Sequence, residues 1–440
     1  MVAVFWYNTN SLVLRHTIFY AFIIFLLYMI AFYVPLRRIH KPKNELADYQ
    51  VLTDTGTLWL PKSLTQTEVI CPILISPKLN EQFADTLTKI TRTDQTNINP
   101  NQIDDCPQFK QIHGDQPSVS DEELQFPLAF SFNVHKQFTQ FARLFRAVFR
   151  HHNAYCIHVD YKADREFRKQ VMRLVNCFGP NVYVIPRERS ISVKWGDLST
   201  LEAWIRCAEF LLNQSSVRWK YLLNGSGQEF PLRTNWELVR ALKAINGSNI
   251  VESNGPNTDV DWVPNKSFSF NFTWFNGSFY TALRKEMIQF ALRNKYATEI
   301  LTALRREDHR PKFQHELFFS TLNYNSQFNA PGACAEVHRQ TQSDPLSTFV
   351  ARYAVWLPQP CLSERSQRNV CIMGVRNIPT LTNRYEFFVN KFIYDFQPLA
   401  YDCLEWWLFR KIQYERNSGH TASSFDPSFY ANLYCSKNHL

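Results

Sequence analysis

The chain predicts an α/β fold with a doubly wound, mostly parallel sheet. Between residues 127 and 253, short apolar runs suited to buried strands alternate with stretches that carry apolar residues on one helical face. The order strand, helix, strand, helix, strand demands crossovers, so the strands lie parallel with helices on both faces. At 440 residues, 45% hydrophobic and 20% charged, the composition is that of a globular protein able to bury a large core.

Each element follows in turn. PLAFSFNV (127–134) is a buried strand; QFTQFARLFRAVFR then places Phe138, Phe141, Leu144, Phe145, Val148 and Phe149 on one helical face. AYCIHV is a strand ending at Asp160, the stretch from Asp164 to Cys177 a helix, and VYVI a third strand. A helix in DLSTLEAWIRCAEFLL, a strand in WKYLLN, a helix in NWELVRALKAI and a strand in NIVES complete the series. Such a sheet binds ligands at the carboxyl ends of its strands. Asp160 and the residues after Tyr221-Leu222-Leu223 therefore stand where chemistry is expected, although an Asp after a strand serves equally well as a turn or cap residue. No internal repeat or low-complexity tract is present.

Thr17 to Leu36 contains no charged residue and has the length, about 20 residues, of a membrane-crossing helix. Its apolar run is too long for a signal peptide and lacks a small-residue cleavage pattern, which predicts an uncleaved anchor. Arg37, Arg38, Lys41 and Lys43 follow it against Arg15 alone before it, which by charge alone puts the C-terminal bulk in the cytosol. Two features oppose that and favour the lumen. Ten cysteines without any C-x-x-C pair suit disulfides better than a metal site. Sequons begin at Asn213, Asn224, Asn246, Asn265, Asn271 and Asn276, of which only some are expected to carry glycan. Residues 37–70 read as a polar stem. A net charge of +9 without a long basic run excludes nucleic acid as partner and fits anionic small ligands or a membrane surface.

In FQHELFFSTL (313–322), His315-Glu316 opens like the zinc-protease pattern HExxH, but Phe319 occupies the place of the second imidazole. Glu316 is then either a helix residue reaching to water or an acid/base catalyst in an apolar wall. Asp259-Val260-Asp261 has the spacing by which some nucleotide-sugar enzymes hold a divalent cation; three residues in a chain with 39 acidic ones mostly mean coincidence. His151-His152 has no third ligand at metal spacing and reads as surface. No G-x-S-x-G, Walker loop or G-x-G-x-x-G occurs, so serine hydrolase, P-loop NTPase and dinucleotide oxidoreductase chemistry lack motif support.

Read together, AFSFNVHKQFTQFARLFRAVFRHHNAYCIHVDYKAD, KWGDLSTLEA, WKYLLNGSGQEFPLRTNWELVRALK, HELFFSTL, RNVCIMGVRN and FVNKF resemble the core-2/I-branching β-1,6-N-acetylglucosaminyltransferase family, in the same order from about Cys71 to Arg410. The resemblance implies a single-pass type II Golgi membrane enzyme: a cytosolic tail (1–16), a signal anchor (17–36), a stem (37–70), a luminal GT-A-like catalytic domain (71–412) and a C-terminal extension (413–440). It implies inverting transfer from a UDP-sugar, UDP-GlcNAc first, to an O-glycan hydroxyl, with no metal and no other cofactor. Glu316 matches the general base, Arg368 and Lys391 the cations that take the leaving diphosphate, Asp160 a uridine contact and Glu252 an acceptor contact. A glutamate desolvated among Phe313, Leu317, Phe318 and Phe319 should have a raised pKa, as a base working near neutrality needs.

By the same resemblance Cys71 pairs with Cys403, Cys106 with Cys177, Cys156 with Cys207, and Cys361 with Cys371. Cys334 and Cys435 keep three fates: a bridge to each other, two free thiols, or a link between two chains in a homodimer. The sequence departs from the family at Val260 and Val263, where basic acceptor contacts are expected, and at Asn133 and Ser192 in the donor site. These leave UDP-glucose or UDP-xylose as alternative donors, and a silent luminal glycan-binding protein as the rival reading.

Overall fold

The computed structural model describes residues 68–76, 81–89, 103, 105–113, 119–257, 263–264, 266–306, 313–334, 336 and 349–440. The expected anchor at 17–36 lies outside them, and no helix among the described residues is long and apolar enough to cross a membrane.

The central sheet is built from β1 (Leu128–Val134), β2 (Ala154–Val159), β3 (Val182–Val184) and β4 (Tyr221–Ser226), with α1 (Phe138–Val148), α2 (Arg165–Phe178) and α3 (Ser199–Asn213) as crossovers. β5 (Glu229–Pro231) and α4 (Asn235–Ala244) follow, then β6 (Ala282–Arg284), α5 (Lys285–Arg293), α6 (Lys295–Arg306) and α7 (Phe318–Tyr324). The sheet order is β3-β2-β1-β4-β6. β1 runs parallel to both β2 and β4, in register at Phe130 with Tyr155 and Leu223, and β6 closes the edge antiparallel to β4. The result is a mixed α/β fold with a parallel-rich sheet.

Alternation along β1 assigns its faces. Leu128, Phe130, Phe132 and Val134 pack with α1, α2 and α4, whereas Ala129 packs with α3, α5, α6 and α7 on the opposite face. Helix starts obey local chemistry: the Asp164 carboxylate caps α2 by accepting from the Glu166 and Phe167 N–H groups, and Thr234 and Glu237 form a capping box on α4.

One expected strand is not formed. NIVES contributes a single bridge, Ile250 to Ala282, and the edge position belongs to β6. The ladder stops because side chains take the next carbonyls: Tyr324 Oη donates to Val251 O (2.7 Å) and Ser320 Oγ to Glu252 O (2.7 Å). Chain leaving the sheet here carries Glu252 out of the layer.

A second sheet, β5 with β7 (Arg352–Tyr353) and β10 (Phe388–Asn390), lies in the order β5-β10-β7; β8 (Ser366–Gln367) and β9 (Val370–Cys371) form a separate hairpin. The long helix α8 (Pro398–Ser418) docks on α1 through buried ion pairs, Arg143 with Asp402 (2.7 Å) and Arg146 with Glu405 (2.6 Å). It runs through residue 412, and Phe425, Tyr430 and Leu433 beyond it pack in the α1 face of the core.

The five disulfides are Cys71–Cys403, Cys106–Cys177, Cys156–Cys207, Cys334–Cys435 and Cys361–Cys371. Four join the pairs implied by the resemblance. The fifth settles the open pair within the chain and leaves no cysteine free.

Candidate active site

From β1 the chain crosses to β2 on one side, and from β3 it returns past β1 to β4 on the other. The switch point between β1 and β4 is where such a sheet opens a crevice at its carboxyl end. Loops after β1, β2 and β3, the residues Glu252 and Gly277, the turn before α7 and the β8–β9 hairpin bring the site together.

Asp160 is buried at the end of β2, and its carboxylate accepts from the Lys162 N–H (2.8 Å) and the Val193 N–H (3.2 Å). His158 Nε2 accepts from the Ile191 N–H (2.8 Å), and burial lowers this imidazole to a pKa of about 4, so it is neutral. Asp160 thus acts as a turn residue that fixes segment 191–193, where Ser192 stands exposed. Asn133 lies near the end of β1 and donates to Thr200 O (3.3 Å).

The cations sit on different elements. Arg368 is exposed at the tip of the β8–β9 hairpin; the bridge Cys361–Cys371 ties the base of that hairpin. Arg368 and Asn369 both have positive φ (55° and 62°), the pair that a two-residue hairpin turn requires. Lys391 follows β10 and is buried; its pKa is lowered to about 8, first by burial and then by the charges of Arg368 and Lys136. Among the described residues no carboxylate forms an ion pair with Arg368 or Lys391. Like charges gathered without a counter-ion suit an anion, whose binding would relieve their repulsion.

Glu316 ends a short 3-10 turn, Gln314–Glu316, entered through Phe313 at φ 53°. Its N–H donates to Phe313 O (2.8 Å), and its side chain remains 29% exposed. Burial, then the charge of Glu252, raises its pKa to about 7. Burial raises Glu252 to about 7 as well, against a hydrogen bond from the Ser278 backbone. His315, 3.9 Å from Glu316, is lowered by burial to about 4 and gives no counter-charge.

Gly277 spaces the two carboxylates. Its N–H donates to Glu316 O (3.1 Å), and a side chain on its Cα would collide with the Glu252 carbonyl and stand 2.6 Å from Ser320 Oγ. Only glycine permits that approach. The sequence signal was present but read differently, because Gly277 is the middle of a sequon. Lys136, whose charge bears on Lys391, and Trp195, which lies against Arg368 in the loop between β3 and α3, were missed as well; only Lys136 closely follows a predicted strand, the one available clue.

Asp259, Val260 and Asp261 lie outside the described residues, as does Asn265, and the described residues contain no group of three or more His, Cys, Asp or Glu able to hold a metal. Val263 is half-buried. Asn224 is buried, donates to Phe279 O (2.8 Å) and accepts from the Thr281 N–H (2.7 Å), so its sequon is structural. His151 is exposed, but His152 is half-buried rather than surface, with burial lowering it to about 3.

Residues 128–382 match the model of the core-2/I-branching enzyme. The chain belongs to that family. It is 30% identical over 338 residues to the β-1,3-galactosyl-O-glycosyl-glycoprotein β-1,6-N-acetylglucosaminyltransferase 3 of Homo sapiens, covering 70% of this chain and 74% of that one. The N-acetyllactosaminide β-1,6-N-acetylglucosaminyl-transferase of Mus musculus is 32% identical over 345 residues (73% and 80%), and a β-1,6-N-acetylglucosaminyltransferase of Bovine herpesvirus 4 is 32% identical over 337 (70% and 74%). This core-2/I-branching chain is a glycosyltransferase. The matched stretch holds Asp160, Glu252, Glu316 and Arg368; Lys391 lies nine residues past its end.

Proposed function

We propose that the enzyme transfers GlcNAc from UDP-GlcNAc to an O-glycan hydroxyl, forming a β-1,6 linkage with inversion and without a metal. One observation carries the reading: the turn that bears Glu316, a carboxylate raised with Glu252 to about 7, is joined through Phe313 and Trp195 to Arg368, which with Lys391 has no ion-pair partner among the described residues. Glu252 orients the acceptor. Glu316 takes the proton of the acceptor hydroxyl as that oxygen attacks the anomeric carbon from the face opposite UDP. The bond to the diphosphate oxygen breaks, and Arg368 and Lys391 take up the charge that grows on the leaving group, so their effect is larger in the transition state than in the bound donor. A base with a pKa near 7 is ionised often enough to act and basic enough to accept the proton. Asp160, which fixes the loop at 191–193, is assigned to the uridine end.

The five disulfides support an oxidising compartment. With the anchor expected at 17–36, a Golgi type II enzyme with a luminal catalytic domain is the arrangement we favour.

The test is thermal stabilisation of the purified full chain by UDP, UDP-GlcNAc, UDP-glucose and UDP-xylose in excess EDTA. Stabilisation in EDTA with UDP-GlcNAc the strongest is expected. A shift that appears only with manganese would overturn the metal-free reading and return attention to Asp259 and Asp261; a different best sugar would overturn the donor; no shift at all would favour the silent binding protein.

A further inference from the structure

We propose that Trp195 is a positioning residue that couples capture of the donor diphosphate by Arg368 to the placement of Glu316. The inference rests on the roles given to those two residues above and adds the side chain that joins them.

Trp195 lies in the loop between β3 and α3 and is 56% exposed, a large exposure for an indole. Its loop is nonetheless pinned: the Lys194 N–H donates to Ser199 Oγ (2.9 Å), the Ser199 N–H to Asp197 Oδ1 (2.7 Å), and Lys162 Nζ to Val193 O (2.7 Å). A fixed but exposed aromatic ring serves contact rather than burial.

Both faces of that contact are defined. The Arg368 guanidinium stands 4.9 Å from the indole centroid, in cation–π range. The Phe313 ring meets the indole edge to face, with centroids 5.0 Å apart at 84°. Phe313 is fastened to the same loop, since its N–H donates to Gly196 O (3.0 Å) and its ring lies 3.3 Å from where a Cβ on Gly196 would stand. Phe313 O in turn receives the Glu316 N–H (2.8 Å). Guanidinium, indole, phenyl ring and base-bearing turn therefore form one unbroken series of contacts.

Without donor, Arg368 faces the like charge of Lys391 and rests on the indole. A diphosphate gives both cations an anion and changes the load on the Trp195 ring. That same ring is the seat of the Phe313 turn, so an enzyme holding its donor also holds Glu316 in place. The groups facing Glu316 are Glu252 and the neutral His315, with Asp197 behind His315; loosening the turn wets Glu316 without supplying a new charge.

The experiment compares Trp195→Leu, which keeps apolar packing on Phe313 but has no π face, with Trp195→Phe, which keeps both contacts, in the purified full chain. Trp195→Leu should raise the donor KM ~5-fold, as loss of one exposed cation–π contact implies, and lower kcat ~10-fold, as a small misplacement of a catalytic group implies. It should also move the acid limb of kcat to lower pH. Trp195→Phe should keep kcat and the limb, while abolishing a change in tryptophan emission that UDP causes in the parent chain. A Trp195→Leu enzyme with a raised KM but unchanged kcat and acid limb would reduce Trp195 to a donor contact and overturn the coupling. Two controls separate this failure from failure of the site itself: normal UDP stabilisation of Arg368→Ala, or normal turnover of Glu316→Gln, would overturn the site reading and the coupling together.

Discussion

Gly277→Ala adds one carbon between the segments that carry Glu252 and Glu316. In the structure that carbon would collide with the Glu252 carbonyl and lie 2.6 Å from Ser320 Oγ. Ordinary contact needs ~3.5 Å, so the Ser320 side must retreat by about 1 Å and the Glu252 carbonyl by more. Neither can do so freely, because Ser320 Oγ donates to the same carbonyl (2.7 Å) and the Gly277 N–H holds Glu316 O (3.1 Å). Overpacking of this kind costs ~1–3 kcal/mol, a fall in Tm of several degrees for a domain of this size. A displacement of about 1 Å at the carboxylates should cost ~100-fold in kcat. UDP binding should be preserved, since Arg368 and Lys391 stand on other elements. The assays are a melting curve, sugar transfer at saturating donor, and UDP stabilisation of the variant. Parental kcat with parental Tm would refute the claim that the glycine contact spaces the two carboxylates.

Other consequences can be checked on the same preparation. Burial and, after it, the Glu252 charge raise Glu316, so Glu252→Gln should leave the burial effect and move the acid limb of kcat to lower pH; an unmoved limb would separate the two groups. Because the folded state raises Glu252 above its ordinary value of 4.5 to about 7, its contribution to stability is full below the ordinary value and lost as pH rises through about 7. Glu252→Gln should therefore raise Tm at about pH 8 and leave it nearly unchanged at about pH 4. UDP binding near pH 8 should take up protons as the diphosphate restores the Lys391 charge; calorimetry in two buffers measures this, and uptake that persists in Lys391→Met would contradict it. Replacing both Cys334 and Cys435 by Ser opens a bridge spanning 101 residues and should cost ~2–4 kcal/mol of stability; an unchanged denaturation midpoint would show that the bridge does not hold the C-terminal segment.

The sheet was legible because its strands are short apolar runs and its helices amphipathic: β1 to β4 and α1 to α4 fall close to where periodicity puts them. NIVES failed for a reason local pattern cannot show, since its carbonyls are taken by Ser320 and Tyr324, some 70 residues later. The same limit applies at the site. Glu316 was visible as a lone carboxylate in an aromatic run, but the pairing with Glu252 depends on Gly277, which in sequence is only part of a sequon. Arg368 and Lys391 came from resemblance alone; nothing in RNVCIMG or FVNKF announces that two cations from separate elements share one place. Asp160 was legible in position, and the structure shows the turn function that a strand-ending Asp commonly performs.

The central claim is that Glu316 is the base of a donor site held by cations. Its most direct test is Glu316→Gln, assayed for transfer from UDP-GlcNAc and for UDP binding in EDTA. The account predicts UDP binding within about 2-fold of the parent chain and transfer reduced by at least ~100-fold, the lower range for loss of a general base. Transfer at the parental rate with donor binding intact would contradict it.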